Sequence, residues 1–299
     1  MHSSSVGPTA LLAGASGFTG RYLEPALKAR GYYVVRLDSG GSEPCDITDS
    51  AAVDRLVAAV NPDMVVHLAG ITYVGHESAE DFYRVNVIGS LNLVTSLARL
   101  KRPPKCVIMA SSAHVYGTPL VDVLDESLCP APINHYGCSK LAMEQMARTW
   151  FDRLPIIITR PFNYTGPGQA EHFLVPKIVK HFVERAPMIE LGNLHVSRDY
   201  MDVEDVVALY IALLECGASS QVVNVCSGRA IALLEILEMM KQVSGHDIEV
   251  QVNPKFVRAN EVPRLTGNTT KLRELIRVPE PRPFVETLRR MYHSATKPI

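Results

Sequence analysis

The chain has 299 residues, of which 47% are hydrophobic and 20% charged, with 30 Lys and Arg against 31 Asp and Glu. That is the balance of a water-soluble globular protein with ample core for one large domain or two unequal ones. A net charge of −1 with no extended basic block leaves no surface to attract a polyanion, which excludes nucleic acid as a partner.

Residues 9–12 form a short apolar strand that runs into a glycine turn. A helix over 18–30 stops at Gly31, and Pro25 inside it predicts a kink. A second buried strand spans 33–37, with Asp38 at its end. Ser50 caps a helix through Val60. A third strand, 64–68, ends in Ala69-Gly70, and one long helical pattern covers 80–100. A fourth strand, 107–110, precedes a long loop over 112–135. A helix over 136–151 and a fifth strand, 156–159, complete the first half. These strands are continuous apolar runs alternating with helices, the pattern of a parallel sheet covered on both faces. The expected fold is α/β: a Rossmann-type doubly wound parallel sheet over residues 1–162, with a smaller, mixed α/β substrate lobe over 163–299.

After Arg160 the texture changes. The segment from Pro161 to Gly168 is rich in turn formers. Helices are expected at 175–184, 203–216, 233–243, 269–276 and 284–292, and strands at 188–191, 222–225 and 249–252. Some of these elements are expected to return to the main sheet. Six cysteines (Cys45, Cys106, Cys129, Cys138, Cys216 and Cys226) form no Cys-x-x-Cys pair. That favours reduced thiols over zinc or disulfides. The first residues lack the apolar run of a secretory signal, and no stretch nears the roughly 18 apolar residues of a membrane span. The expectation is a cytoplasmic protein with no membrane partner.

Two motifs carry the chemistry. Gly14-x-x-Gly17-x-x-Gly20 follows a strand and opens a helix. The first glycine allows the tight turn, the second lets a pyrophosphate approach, and the third lets helix pack on sheet. Ser16, Phe18 and Thr19 belong to the same turn. Asp38 lies 18 residues after Gly20 at the tip of the second strand. A carboxylate there accepts from the adenosine ribose hydroxyls and repels a 2′-phosphate, or else serves as a turn cap. Ser39 to Ser42 supply no basic group, so NAD(H) is favoured, with NADP(H) the alternative. Arg36 points to the same side of the strand as Asp38 and weakens that preference.

Tyr136-Gly-Cys-Ser-Lys140 places a phenol and an ammonium one helical turn apart on the same face. Lys140 is expected to lower the pKa of Tyr136, fitting it for proton exchange near neutral pH. Ser111 and Ser112 end the fourth strand, and Ser112, 24 residues before Tyr136, can hold a reacting oxygen. Serine, tyrosine and lysine beside a dinucleotide turn point to hydride transfer at a carbinol or ketone. His67, His76, His114, His135 and His172 sit on separate segments without metal-ligand spacing. No metal is expected.

These segments resemble a known family. Gly14–Gly20, Asp38, Cys45-Asp-Ile47, His67-Leu-Ala-Gly70, Asn86, Ser111-Ser-Ala-His-Val-Tyr-Gly117, Tyr136-x-x-x-Lys140 and Arg160-Pro-Phe-Asn163 are similar, in order and spacing, to the extended short-chain dehydrogenase/reductases. The likeness is to their nucleotide-sugar epimerase/dehydratase/reductase branch. Arg160 to Gln169, Ser197-Arg-Asp-Tyr200 and Asn224-Val-Cys-Ser-Gly228 resemble the members acting on GDP-6-deoxyhexoses, above all the GDP-6-deoxy-D-mannose reductases. The resemblance implies Ser112, Tyr136 and Lys140 as catalytic residues. It implies that Asp46 and Ile47 frame the adenine, and that Leu68, Ala69, Gly70 and Pro161 line the cofactor. Asn86 either supports the active-site strand ends or meets the cofactor. Asn163, Val175, Arg198 and Arg258 are implied substrate contacts; each arginine is otherwise a surface ion pair, though its planar fork suits a phosphate. His114 either caps its loop or contacts substrate, or serves as a base beside the ketone.

Dehydratases of the family carry an acidic pair where this chain has Ala113-His114, so dehydration is not expected. The implied activity is a 4-ketoreductase of a nucleotide-activated 6-deoxyhexose, GDP-4-keto-6-deoxy-D-mannose to a GDP-6-deoxyhexose of the GDP-D-rhamnose type. A nucleotide-sugar 4-epimerase is the first alternative and a non-catalytic dinucleotide sensor the remote one. A homodimer through the helices over 80–100 and 136–151 is implied too.

Overall fold

A computed structural model describes residues 7–40, 44–257 and 262–296. Six parallel strands form the main sheet. In chain order they are β1 (Thr9–Ala13), β2 (Tyr33–Leu37), β3 (Met64–His67), β4 (Cys106–Ala110), then, after the two-residue β5 (Val123–Leu124), β6 (Ile156–Pro161) and, later, β10 (Gln221–Val225). Their spatial order is β10-β6-β4-β3-β1-β2. The order reverses beside β1, so the crevice at the carboxyl ends of β1 and β3 is where such sheets bind ligands.

Alternate residues of each strand face opposite layers. Ala10 and Leu12 of β1 pack under α1 (Phe18–Ala29) and α7 (Val203–Glu215). Leu11 and Ala13 pack under α2 (Ser50–Val60), α4 (Ser90–Ala98) and α5 (His135–Arg148). Helix α1 continues through Pro25 to Ala29. The pattern read as one helix over 80–100 is three pieces: α3 (Ala79–Tyr83), a π-helical segment over Arg84–Gly89, and α4. Widened turns of this kind are rare and cluster at functional sites.

The remaining elements form the second lobe. β7 (Asn163–Thr165) and β9 (Ser197–Asp202) pair in parallel, and β11 (Ala230–Ala232) and β13 (Arg264–Gly267) flank β9. β8 (Met188–Leu191) pairs with β12 (Glu249–Val252). A separate core gathers Val175, Ile178 and Phe182 of α6 (Leu174–Val183), Ile236 and Met240 of α8 (Leu233–Ser244), and Leu288 of α10 (Phe284–Thr296). Helix α9 (Thr270–Leu275) instead sends Leu272 into the α1–α7 layer.

One buried carboxylate fastens α10. Asp202 caps α7 through the Glu204 N–H at 2.8 Å, and accepts from Thr287 Oγ1 at 2.8 Å and Arg290 Nη1 at 3.0 Å. Arg290 also pairs with Glu204. Asp202→Ala removes the cap and strands these partners. We expect a loss of about 2–4 kcal/mol, discounted for the partly exposed Arg290. Chemical denaturation checks it; a loss below about 1 kcal/mol would show that α10 is held by its apolar face alone.

Candidate active site

The glycine turn is built from backbone crowding. Gly14 has φ +84, and a Cβ there would sit 2.7 Å from the Ala69 nitrogen. A Cβ on Gly20 would sit 2.3 Å from the Gly14 oxygen and 2.6 Å from the Ala15 oxygen. Gly17 is the N-cap of α1 and supplies no side-chain cap, and Ser16 and Gly17 are exposed. This leaves a helix N-terminus and an open cradle for an anion. Beside it, Asp38 is 8% exposed and accepts from the Ser16 and Gly40 N–H groups, both at 3.1 Å. A carboxylate has about four acceptor positions, so two stay open for a diol. Arg36 is committed elsewhere: its guanidinium donates to Glu24 on α1 at 2.6 and 3.0 Å. These residues fit a dinucleotide.

Ser112, Tyr136 and Lys140 converge past the carboxyl end of β4, all buried. The Asn134 side chain caps α5 and so fixes the entry of Tyr136. The phenol packs against Phe82, with ring centroids 6.1 Å apart, and edge-on to His114 at 5.3 Å. Burial pushes its pKa up to about 12, and the neighbouring Ser112 hydroxyl pulls the other way. This corrects the expectation that Lys140 lowers it. The Lys140 ammonium is instead bonded to the Ala110 carbonyl at 2.7 Å. Its own pKa is lowered to about 8 by burial, opposed by the charge of Glu144.

Asn86 lies in the π-helical segment and is fully buried. Its amide oxygen accepts from the Ile71 N–H at 2.8 Å, and its nitrogen donates to the Ile71 carbonyl at 3.1 Å and to Ser139 at 3.0 Å. Both amide hydrogens of Asn86 are thus spent on the protein frame. Gly70 passes beside it: a Cβ there would lie 2.8 Å from the Asn86 amide oxygen and 3.3 Å from the Lys140 nitrogen.

The other expected residues divide. Thr19 bonds Tyr164 at 2.7 Å, and Phe18 stacks on the Tyr164 ring at 6.1 Å. Asp46 spends one carboxylate oxygen on Thr48, 2.8 Å from both its N–H and its hydroxyl, and that turn holds its pKa down. Ile47 is core, and its carbonyl accepts from Asn92 at 3.0 Å. Leu68 and Ala69 stand at the end of β3, half-buried, and the Leu68 N–H donates to the Ala13 carbonyl at 2.8 Å. Pro161 ends β6. Asn163 is exposed and donates to the Asp199 carbonyl at 3.3 Å. Val175 is 3% exposed, and its side chain is spent on the second core. Arg198 holds the Ser197 carbonyl at 2.8 Å. Arg258 lies outside the described residues.

The histidines do not form a cluster. His67 pairs with Ser90 at 2.7 Å and is kept neutral, its pKa lowered to about 3 by burial and by Lys140. His76 meets Asp81, His135 meets Tyr83, and His172 packs on Tyr73. Among the described residues no group of His, Cys, Asp and Glu could hold a metal ion, and no helix is long and apolar enough to cross a membrane.

One participant escaped the sequence reading. Glu144, fully buried, accepts from Ser111 Oγ at 2.6 Å and from Arg160 at 2.9 and 2.6 Å. The signal was present: an acid one turn after Lys140, among Met143 and Ala147 on the apolar face of α5.

A model of the NAD dependent epimerase/dehydratase family matches residues 10–226. GDP-6-deoxy-D-talose 4-dehydrogenase of Aggregatibacter actinomycetemcomitans is 35% identical over 262 residues, covering 88% of this chain and 89% of that protein. GDP-6-deoxy-D-mannose reductase of Pseudomonas aeruginosa is 32% identical over 275 residues, covering 88% and 89%. The solved structure of RMD from Pseudomonas aeruginosa, complexed with NADPH, superposes with a TM-score of 0.86 at 28% identity, covering 97% of this chain and 99% of that one. Sheet order, glycine cradle and sequence agree: the chain belongs to the NAD dependent epimerase/dehydratase family, enzymes of the nucleotide-sugar-modifying, extended short-chain dehydrogenase/reductase type.

Proposed function

We propose that this enzyme is a 4-ketoreductase of a nucleotide-activated 6-deoxyhexose, reducing GDP-4-keto-6-deoxy-D-mannose to a GDP-6-deoxyhexose of the D-rhamnose type. The observation that carries the reading is the buried Ser112–Tyr136–Lys140 group beside the glycine cradle, with Ala113 where dehydration needs an acid. The two GDP-6-deoxyhexose enzymes among its relatives support the substrate class.

A bound dihydronicotinamide supplies the hydride. Ser112 donates to the C4 ketone oxygen and holds it against Tyr136. The phenol gives its proton to the developing alkoxide, which two aimed donors stabilise in a site closed to water. Lys140 carries a charge that steadies the cofactor ribose, and Asn163 and Arg198 face the nucleotide.

Purified enzyme with NADH and enzymatically generated GDP-4-keto-6-deoxymannose is expected to consume NADH and yield one C4 product. The names of the relatives include both C4 configurations, talo and manno, so the product sugar must be resolved. No consumption, with NAD retained through purification, would overturn the reductase in favour of a 4-epimerase, an activity within the same family.

We read Asp38 as the reason for preferring NAD(H). Asp38→Ser removes a charge that repels a 2′-phosphate. The NADPH:NADH ratio of kcat/KM is expected to rise at least about tenfold, or about 1.4 kcal/mol. An unchanged ratio would assign the discrimination to another residue.

A further inference from the structure

We propose that Glu144 is the positioning residue of the active site: one buried carboxylate ties the serine end of β4, the helix bearing Tyr136 and Lys140, and the root of the substrate loop, and it supplies the counter-charge for Lys140. The inference rests on the reading of Ser112, Tyr136 and Lys140 as the reacting group.

Three elements meet at this carboxylate. Ser111, the residue before Ser112, donates to one oxygen at 2.6 Å. Arg160, two residues before Phe162 and three before Asn163, donates to both oxygens at 2.9 and 2.6 Å. The Arg160 guanidinium lies 4.8 Å over the ring of Tyr116, whose hydroxyl donates to Asn224 Oδ1 at 2.7 Å. Asn224, fully buried, donates to the Leu124 carbonyl at 2.9 Å. The chain of contacts therefore runs from the catalytic helix to β10 and β5 without leaving the interior.

The bidentate geometry fixes rotation as well as distance. A shift of α5 along its axis breaks both the Arg160 fork and the Ser111 bond, so Ser112, Tyr136 and Asn163 keep one relative placement. Such placement matters because small displacements at a reacting centre cost large factors in rate.

Glu144 also sits one turn after Lys140. Around the Lys140 ammonium are the Ala110 carbonyl of β4, His67 of β3, Asn86 of the π-helical segment and, one turn on in α5, Glu144. His67 is neutral and Tyr136 is a neutral phenol near pH 7. The negative charge opposing the desolvation of Lys140 is that of Glu144, which shares it with Arg160 of β6.

The test is NADH affinity against pH, read from NADH fluorescence without any sugar substrate. Wild-type affinity is expected to weaken as pH rises past about 8, where Lys140 loses its proton. In Glu144→Gln the midpoint is expected about one pH unit lower. Because the buried arginine is then unpaired, that variant is checked for folding by circular dichroism. If it does not fold, Glu144→Leu with Arg160→Met removes both charges at similar volume; because the lost guanidinium partly offsets the lost carboxylate, a smaller downward shift of the midpoint is expected. A folded variant of either kind with the wild-type midpoint overturns the link to Lys140, as does a wild-type profile flat from pH 6 to 10.

Positioning is read separately in Ser111→Ala, which leaves the Glu144–Arg160 pair intact. Its kcat on the keto-sugar is expected to fall about tenfold with KM within about twofold; an unchanged kcat overturns the positioning role. Should wild-type enzyme not turn over the keto-sugar, the proposed reaction fails, and the NADH titration still decides the role of Glu144.

Discussion

Tyr136→Phe is expected to lower kcat for ketone reduction by about 10³-fold, with KM and NADH affinity within about threefold. Phenylalanine keeps the ring and its packing against Phe82 and the edge of His114, so only the hydroxyl is lost. Tyr136 is buried, 7% exposed as a residue, so bulk water is a poor replacement for its hydroxyl as proton donor. Burial raises its pKa to about 12, so the phenol is protonated throughout the neutral range. In the reductive direction this is the useful state: the group must give a proton to an alkoxide, which is far more basic than the phenolate. The partner Ser112 still donates to the oxygen, which is why the loss stays finite. Single-turnover and steady-state rates of wild type and variant, with NADH binding measured apart, decide the matter. A variant within tenfold of wild type in kcat would move the proton to another group, with His114 the first to examine.

The proposed reacting group was legible in the sequence because most of its parts are local. A Tyr and Lys one turn apart and a glycine turn after an apolar strand need no tertiary information. The five apolar strands of the first half were legible for the same reason: buried parallel strands carry continuous apolar runs, as in Ile156, Ile157 and Ile158 of β6. β9 was not legible. Its sequence, Ser197 to Asp202, is mostly polar, because its groups are satisfied by β7, β11 and β13 rather than by an apolar layer. The break between α3 and α4 was hidden too. Apolar periodicity continues across it, and the π-helical turn exists so that Asn86 can reach Ile71 and Ser139 from another part of the chain. Lys140 shows the limit of pair arguments. Helical spacing put its ammonium near the phenol, but the Ala110 carbonyl, 30 residues away in sequence, holds it. The charge state of a buried group follows from all its neighbours, and spacing names only those on its own helix.

Gly20→Ala is expected to weaken NADH binding by at least about 100-fold and to cost about 2–3 kcal/mol of stability. For a chain of this size that corresponds to a Tm lower by roughly 3–5 °C. The added methyl would lie 2.3 Å from the Gly14 oxygen, 2.6 Å from the Ala15 oxygen and 2.7 Å from the Ala15 carbonyl carbon. None of these is the end of a flexible side chain, so relief requires moving the turn or lifting the start of α1. The turn cannot move toward the sheet: Gly14, at φ +84, is already within 2.7 Å of Ala69 at its own missing Cβ, and its N–H is bonded to the Leu37 carbonyl at 3.0 Å. Lifting α1 is therefore the cheaper path. It withdraws the helix start at Phe18, which has no side-chain cap, from the position a pyrophosphate must occupy, and it loosens Phe18 from Tyr164. Affinity thus falls by more than the stability loss accounts for, because the displaced helix start is the binding element itself. Gly31→Ala is the matched control. It also has a positive φ, +87, but nothing lies within 4 Å of its missing Cβ. It should cost about 1 kcal/mol and leave NADH affinity unchanged. Equal losses of affinity in both variants would mean that backbone strain, and not the crowding under the pyrophosphate turn, governs the site.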